Sequence, residues 1–174
     1  MRFEPHAYQL RALDWVKDHP RCALFLDMGL GKTVATLTAL RDLLDEADIS
    51  KVLVVAPKKV AESTWSTEAA KWDHLRGLRV SVVMGDARHR LAALSADADI
   101  YVTGRDTVAW LVETVKRPPF DCIVIDELTS FKNHQAKRFK ALRRWTAAAT
   151  RVVGLTGTPV PNGLLDLWAE IYCL

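Results

Sequence analysis

The 174-residue sequence lacks the features of several protein classes. Its three cysteines (Cys22, Cys122 and Cys173) lie far apart and form no C-x-x-C pair, so we expect buried free thiols in a reducing compartment. No apolar run approaches the roughly 20 residues of a membrane span, and the N-terminus has no charged and then apolar signal segment. These absences predict a cytoplasmic, or otherwise intracellular, protein without a membrane partner.

Acidic residues are absent from positions 128–165, although the net charge of the whole chain is only +3. A charge that small does not by itself imply a nucleic-acid partner, but its uneven distribution is informative. The acid-free stretch holds seven Lys and Arg residues: Lys132, Lys137, Arg138, Lys140, Arg143, Arg144 and Arg151.

Positions 135–145 within this stretch have helical spacing. We expect Phe139, Leu142 and Trp145 to face the core. The outward set would be Lys137, Arg138, Lys140 and Arg144. A solvated charged face explains these four residues as well as a nucleic-acid contact does.

Six short apolar runs alternate with segments of helical length along the chain. The runs lie at 22–26, 51–56, 79–84, 99–103, 122–126 and 151–155. Because they are continuous rather than alternating, we expect strands that are covered on both faces. The pattern predicts a mainly parallel sheet between two layers of helices, a three-layer α/β/α sandwich.

Three of the intervening segments are specific helix predictions, at 33–47, 62–72 and 164–174. In the second, Trp65 and Trp72 lie seven positions apart, which favours core packing over base stacking. The third stops on an apolar residue without a capping signal, so we expect the chain to be the first part of a longer protein.

The stretch FLDMGLGKTVATL at 25–37 matches most of the phosphate-loop pattern G-x-x-x-x-G-K-[ST], with Leu26 in place of the first glycine. A predicted strand precedes it and a predicted helix follows it, as such a loop requires. Lys32 would reach the β- and γ-phosphates of a nucleotide, and the Thr33 hydroxyl would coordinate Mg²⁺. The alternative is a glycine-rich turn without a ligand. The predicted nucleotide-binding residues here are Met28, Gly29, Leu30, Gly31, Lys32, Thr33 and Val34.

The pair Asp126-Glu127 follows the apolar run CIVI, at the carboxyl end of a predicted strand. Open parallel sheets bind ligands at that end. Asp126 could hold Mg²⁺, usually through water, and Glu127 could orient and deprotonate an attacking water. Alone, the pair could equally be a capped strand end. Together with the G-K-T loop, it predicts a P-loop nucleoside triphosphatase with Lys32, Asp126 and Glu127 as its catalytic residues.

The two stretches resemble motifs I and II of superfamily-two helicases, whose loop tolerates a residue other than glycine at the Leu26 position. DMGLGKT resembles the Swi/Snf-like branch in particular. AYQLRALDW resembles the Q motif of that branch, which implies that Gln9 recognises adenine. LTSFKNHQAKRFKALRRW resembles the segment that follows motif II.

GLTGTPVPNGLLDLW resembles motif III and the helix behind it, so Thr156, Gly157 and Thr158 are the implied coupling residues. The acid box departs from the common D-E-A-H, because Leu128 and Thr129 follow the two acids. This departure affects the coupling contact and leaves the hydrolytic pair intact. The box and the stretch APKKVAESTWSTEAAKW resemble the compact, phage-type members of the branch.

The resemblance implies a RecA-like fold in which residues 1–174 form the N-terminal lobe, with motifs Q, I, Ia, Ib, II and III. The implied activity is Mg²⁺-dependent ATP hydrolysis, coupled to translocation on duplex DNA without sequence preference. A second lobe, absent from this chain and located in the parent chain or in a separate subunit, would complete the cleft, so the isolated chain is expected to be nearly inactive. The alternatives are a lobe of a strand-separating or restriction-type helicase and a nucleotide-binding regulator that does not hydrolyse.

The stretches that resemble motifs Ia and Ib carry the predicted nucleic-acid contacts. Lys58 and Lys59 follow the strand predicted at 51–56, and Thr103 and Arg105 lie at the end of the strand predicted at 99–103. Phosphate contacts use basic side chains, small donors and exposed backbone N–H groups. A solvated loop is the alternative at both places.

Overall fold

The computed structural model describes residues 1–128 and 137–157. Its centre is one sheet of six parallel strands in the order β1-β6-β5-β2-β4-β3. The strands are β1 (Arg21–Phe25), β2 (Val52–Ala56), β3 (Val80–Val83), β4 (Ile100–Gly104), β5 (Cys122–Asp126) and β6 (Arg151–Thr156). Every strand lies within one residue of its predicted bounds.

The helices connect the strands in the alternating pattern that the sequence predicts. They are α1 (Ala7–Asp18), α2 (Lys32–Asp45), α3 (Trp65–Lys71), α4 (Ala87–Ser95), α5 (Val108–Thr114) and α6 (Lys137–Ala148). The segment predicted at 62–72 is α3, preceded by a π-helical turn at Val60–Thr64. The helix predicted at 164–174 lies outside the described residues.

Alternate residues of the central strands enter two separate cores. In the first core, Val52 and Val54 pack with residues of α1, α2 and α3. In the second core, on the other face, Leu53 and Val55 pack with residues of α5 and α6. Continuous apolar strands form because both faces of the sheet are covered. The three-layer α/β/α prediction is therefore confirmed.

The predicted faces of α6 are also found where its side chains are described. Leu142 and Trp145 are buried, and Lys140 and Arg144 are exposed. The side chains of Lys137, Arg138 and Phe139 lie outside the described part of the chain.

Two cysteines match the thiol prediction, since Cys22 and Cys122 are buried and free. Burial raises the pKa of Cys22 to about 11 and that of Cys122 to about 12, so both thiols are protonated at neutral pH. Cys173 lies outside the described residues. Among the helices that the structure describes, none has the length and apolarity to cross a membrane.

The strand order brings three strand ends together. β6 lies between β1 and β5, with Thr156 opposite Phe25 and Leu155 opposite Asp126. The loop after β1, the acid pair after β5 and the end of β6 therefore share one edge of the sheet.

Candidate active site

The loop between β1 and α2 depends on two glycines in left-handed conformations, Gly29 (φ 82°) and Gly31 (φ 74°). Gly31 also has no room for a side chain, because a Cβ there would lie 2.4 Å from Nε2 of Gln9. A residue with a side chain at position 31 would disturb both the backbone and the contact with α1.

Leu26 takes the place of the usual first glycine because the strand ladder continues through it. Its backbone N–H donates to the carbonyl of Thr156 at 3.1 Å, and its side chain packs against the first core. The left-handed turn begins only at Gly29. Glycine is therefore not required at position 26.

The Lys32 ammonium lies over the loop that precedes it. Nζ donates to the carbonyl oxygens of Leu26 and, at 2.9 Å, of Asp27. Its charge also acts on Asp126, whose pKa it helps to lower against the effect of burial. Lys32 thus contacts the loop and is near enough to Asp126 for its charge to act there, while its role towards a nucleotide stays a prediction.

Gln9 is buried at the start of α1 and links that helix to the loop. Its Nε2 donates to the carbonyl of Leu30 at 3.2 Å, and its Oε1 accepts from the backbone N–H of His6 at 2.9 Å. The Tyr8 hydroxyl donates to the same Leu30 carbonyl at 3.2 Å. To recognise adenine, the Gln9 amide would have to replace its present bonds to Leu30 and His6 by bonds to the base. Adenine recognition therefore stays a prediction.

A cleft of about 630 Å³ opens beside the loop, within the size range of small-molecule sites. Its walls come from the N-terminal segment, the loop and the end of α3. The predicted nucleotide-binding residues in its lining are Gln9, Gly29, Gly31, Lys32, Thr33 and Val34. The side chains of Met28 and Leu30 are exposed.

Asp126 is the last residue of β5 and is half-buried. The indole N–H of Trp65 donates to its Oδ2 at 2.9 Å. Burial raises the pKa of Asp126 above its ordinary value, while the Trp65 hydrogen bond opposes that rise. The prediction that Trp65 packs in the core is confirmed, but sequence spacing gave no sign of its bond to Asp126.

Glu127 adopts a left-handed backbone conformation, with φ of 62°. Such a conformation is costly for a residue other than glycine and is often found at functional sites. The carboxylate accepts from the hydroxyl of Thr156 at 3.1 Å. The strained turn and this bond fix Glu127 at the shared strand edge.

The end of β6 contacts both halves of the site. Thr156 reaches Glu127, and a Cβ added to Gly157 would lie 3.5 Å from Leu26 O. Two of the three predicted coupling residues therefore lie between the acids and the loop. Thr158 lies outside the described residues.

Leu128 explains one departure from the D-E-A-H box. Its side chain is buried and covers Gly154, where a Cβ would come within 2.2 Å of it. The larger residue is accommodated because β6 has glycine at the facing position.

The predicted nucleic-acid residues differ in exposure, since Lys58 and Lys59 are exposed and Thr103 is buried. The ends of β2 and β4 are adjacent, with Ala56 opposite Gly104. Lys58 and Lys59 are exposed just beyond β2, and Arg105 follows β4 directly.

Thr103 requires a correction. Its side chain is fully buried, and its hydroxyl donates to the carbonyl of Val83 at 3.0 Å. The pleat places its side chain on the same covered face of the sheet as that of Tyr101, where the hydroxyl reaches the backbone of the paired strand β3. The structure therefore shows a strand contact for the Thr103 hydroxyl where the sequence predicts a phosphate contact.

Sequence comparison identifies relatives across nearly the whole chain. The model of the SNF2-related domain matches residues 8–172. Protein p41 of Acyrthosiphon pisum secondary endosymbiont phage 1 is 40% identical over 178 residues, which cover 98% of this chain and 39% of that protein. The human SWI/SNF-related matrix-associated actin-dependent regulator of chromatin subfamily A member 1 is 30% identical over 171 residues, covering 93% of this chain and 16% of that protein.

Solved structures with the same fold agree with this result. The Sulfolobus solfataricus SWI2/SNF2 ATPase core, solved in complex with dsDNA, has a TM-score of 0.85 and 30% identity. It covers all of this chain, which spans 36% of that core. The UvsW helicase of bacteriophage T4 has the same fold, with a TM-score of 0.73 and 18% identity. The match covers 98% of this chain and 58% of UvsW. The chain thus spans about two fifths or less of the length of p41, of the human protein and of the Sulfolobus core.

Proposed function

The chain belongs to the SNF2-related family, and on that premise we propose that it binds ATP with Mg²⁺ beside the phosphate loop. Paired with a second RecA-like lobe, it would hydrolyse the ATP and move along duplex DNA. The observation that carries the proposal is the shared edge of β1, β6 and β5. There the loop, Thr156 and the acid pair are joined through the bond between Thr156 and Glu127.

The site's oxygen donors suit Mg²⁺, which proteins often bind with one or two carboxylates together with substrate phosphates. Asp126 and the Thr33 hydroxyl would hold the ion. When bound, it would neutralise the charge that develops on the phosphates.

Three further residues act on the nucleotide and the water. Lys32 would transfer its hydrogen bonds from the loop carbonyls to the phosphates. Glu127 would orient the attacking water and accept its proton. Thr156 would hold Glu127 in place for that step.

Hydrolysis at a useful rate requires groups from the second lobe. An arginine finger contributes about 10³–10⁵ in rate in related phosphoryl-transfer systems. We therefore expect this chain alone to bind nucleotide and to turn it over barely above background.

Titration calorimetry with ATP and Mg²⁺ tests the nucleotide site. Lys32→Ala should weaken binding about 100-fold, because it removes charge-assisted bonds to the phosphates. Lys116→Ala is the matched control, since Lys116 is exposed on the connection between α5 and β5 at the opposite edge of the sheet. Equal losses in the two variants would refute the site.

Turnover and strand displacement separate the alternatives. A protein containing this chain and a second lobe should hydrolyse ATP faster with duplex DNA, and Glu127→Gln should abolish turnover but keep binding. Displacement of one strand would favour the strand-separating helicase. Binding without turnover in the two-lobe protein would favour the regulator.

The DNA track is proposed on the loops after β2 and β4. Replacing Lys58 and Lys59 together by alanine should lower affinity similarly for unrelated duplexes and reduce the salt slope by about two at most. The charge-matched control replaces the exposed pair Lys116 and Arg117 at the opposite edge. If the control variant lost more DNA affinity than the Lys58 and Lys59 variant, the DNA-binding surface would lie elsewhere than on these loops.

A further inference from the structure

Trp65 makes a contact that core packing does not require. Its indole ring is fully buried in the first core at the start of α3, and its N–H lies 2.9 Å from Oδ2 of Asp126, 61 positions along the chain. An indole can only donate a hydrogen bond, and a buried indole usually has an acceptor. In this chain the acceptor is a carboxylate of the candidate active site.

The local backbone determines where the indole lies. The π-helical turn Val60–Thr64 immediately precedes Trp65. A π-turn inserts one residue into helical spacing, and such turns occur often at functional sites. It rotates the residues that follow relative to an uninterrupted α-helix, and Trp65 is the first of them.

We propose that Trp65 is a positioning residue that fixes the orientation of the Asp126 carboxylate by occupying one of its two oxygens. The other oxygen is then presented to Mg²⁺ in a defined direction. Partners that orient a metal-binding side chain typically affect metal affinity 10–100-fold when they are removed. The metal part rests on the proposed function, whereas the hydrogen bond and its effect on the carboxylate do not.

The chain contains two useful comparisons for this bond. Trp72 donates its indole N–H to Oε2 of Glu68, also at 2.9 Å. Trp145 is a buried indole in the second core, on the other side of the sheet. Trp72 shows how an indole–carboxylate bond behaves outside the candidate site. Trp145 shows what the loss of a buried indole does by itself.

The hydrogen bond is tested without nucleotide, by NMR of the chain with ¹⁵N-labelled tryptophan. Trp65→Phe identifies one of the six indole signals, because the chain has six tryptophans. Asp126→Asn should shift that signal most and speed its exchange with solvent. Glu68→Gln should instead shift the Trp72 signal. A Trp65 signal that Asp126→Asn leaves unmoved would overturn the proposal, and the Asp126 variant keeps this test open if Trp65→Phe folds poorly.

The positioning role is tested by the Mg²⁺ dependence of ATP binding. Trp65→Phe should raise the Mg²⁺ concentration for half-maximal binding about tenfold and leave ATP binding without Mg²⁺ unchanged. Trp145→Phe, with thermal unfolding as a check on both variants, shows what a lost buried indole does by itself. Equal Mg²⁺ dependence in the two variants would overturn the role.

If the unsubstituted chain binds no ATP, the proposed function fails and the NMR result still decides the bond.

Discussion

The aspartates at the two ends of β5, Asp121 just before the strand and Asp126 at its last position, have different hydrogen-bond partners. Asp121, just before the strand, accepts three hydrogen bonds: from Ser50 N at 2.8 Å, from Ser50 Oγ at 2.7 Å and from Lys51 N at 3.2 Å. Asp126, at the other end, is half-buried and accepts one side-chain bond, from Trp65. The first carboxylate joins the strand to the chain before β2. The second is desolvated with fewer donors.

The difference is the one expected between a structural acid and the metal-binding acid of the proposed function. A carboxylate saturated with donors stabilises the fold and has little capacity left for a ligand. A desolvated carboxylate with few donors costs stability and retains lone pairs for an incoming cation. The hydrogen bonds of Asp121 therefore support the fold at the amino end of this sheet, while the carboxyl end has the environment that the proposed Mg²⁺ site requires.

The largest expected effect is at the amino end. Asp121→Ala removes the acceptor of two backbone N–H groups, so we expect the free energy of unfolding to fall by about 2 kcal/mol. Urea denaturation measures the change. Asp48→Ala, at an exposed position on the same edge, is the control and should change stability by less than about 0.5 kcal/mol. A similar small loss at Asp121 would remove the distinction between the two ends.

An effect of opposite sign is expected at the carboxyl end. Asp126→Asn keeps an acceptor for Trp65 and removes a desolvated charge, so we expect the free energy of unfolding to rise by about 1 kcal/mol. The same denaturation series measures it, alongside ATP turnover of the two-lobe protein, which should fall. If the substitution destabilised the fold, Asp126 would be a structural acid like Asp121.

The smallest effect concerns Asp99, which precedes β4. Its carboxylate accepts from the backbone N–H and the guanidinium of Arg79, and these bonds hold its pKa below the ordinary value. The charge of Arg41 also lowers this pKa, and Asp97 pairs with the same Arg79 guanidinium. The stabilisation is therefore fully present above the ordinary carboxyl pKa and is lost as the pH falls through the lowered pKa.

Asp99→Asn measures this contribution. We expect a loss of about 0.5–1 kcal/mol at neutral pH, since the pair is partly exposed. The difference in the free energy of unfolding between the variant and the unsubstituted chain should disappear in acid. Urea denaturation at a series of acidic pH values measures it. A gap that widens in acid would contradict the sign of the shift.

The fold was predictable because its signals are local. Continuous apolar runs define the strands, and Gly29, Gly31, Lys32 and Thr33 lie together in sequence. Asp126 and Glu127 could be assigned to a strand end for the same reason. Their pairing with the loop followed from the general rule that parallel sheets bind ligands at the carboxyl ends of their strands.

Three site features were not predictable from local pattern. Helical spacing assigned Trp65 to the core but could not show its polar contact. The sequence predicts Thr103 to be a surface donor, but β4 lies inside the sheet and the Thr103 hydroxyl donates to the carbonyl of Val83. The bond from Nε2 of Gln9 to the Leu30 carbonyl connects α1 to the phosphate loop across 21 positions, and sequence spacing does not give the relative placement of these two segments.

The sequence by itself determined the elements, the loop and the chemical groups at each strand end, because apolar patterning and glycine conformations act over a few residues. Only the tertiary structure decided which strand ends meet. The placement of β6 between β1 and β5 joins Thr156 to Glu127 across 29 positions, and the packing of α3 on the first face joins Trp65 to Asp126. Such contacts depend on strand order and helix placement, which the burial of both faces of the whole sheet selects together.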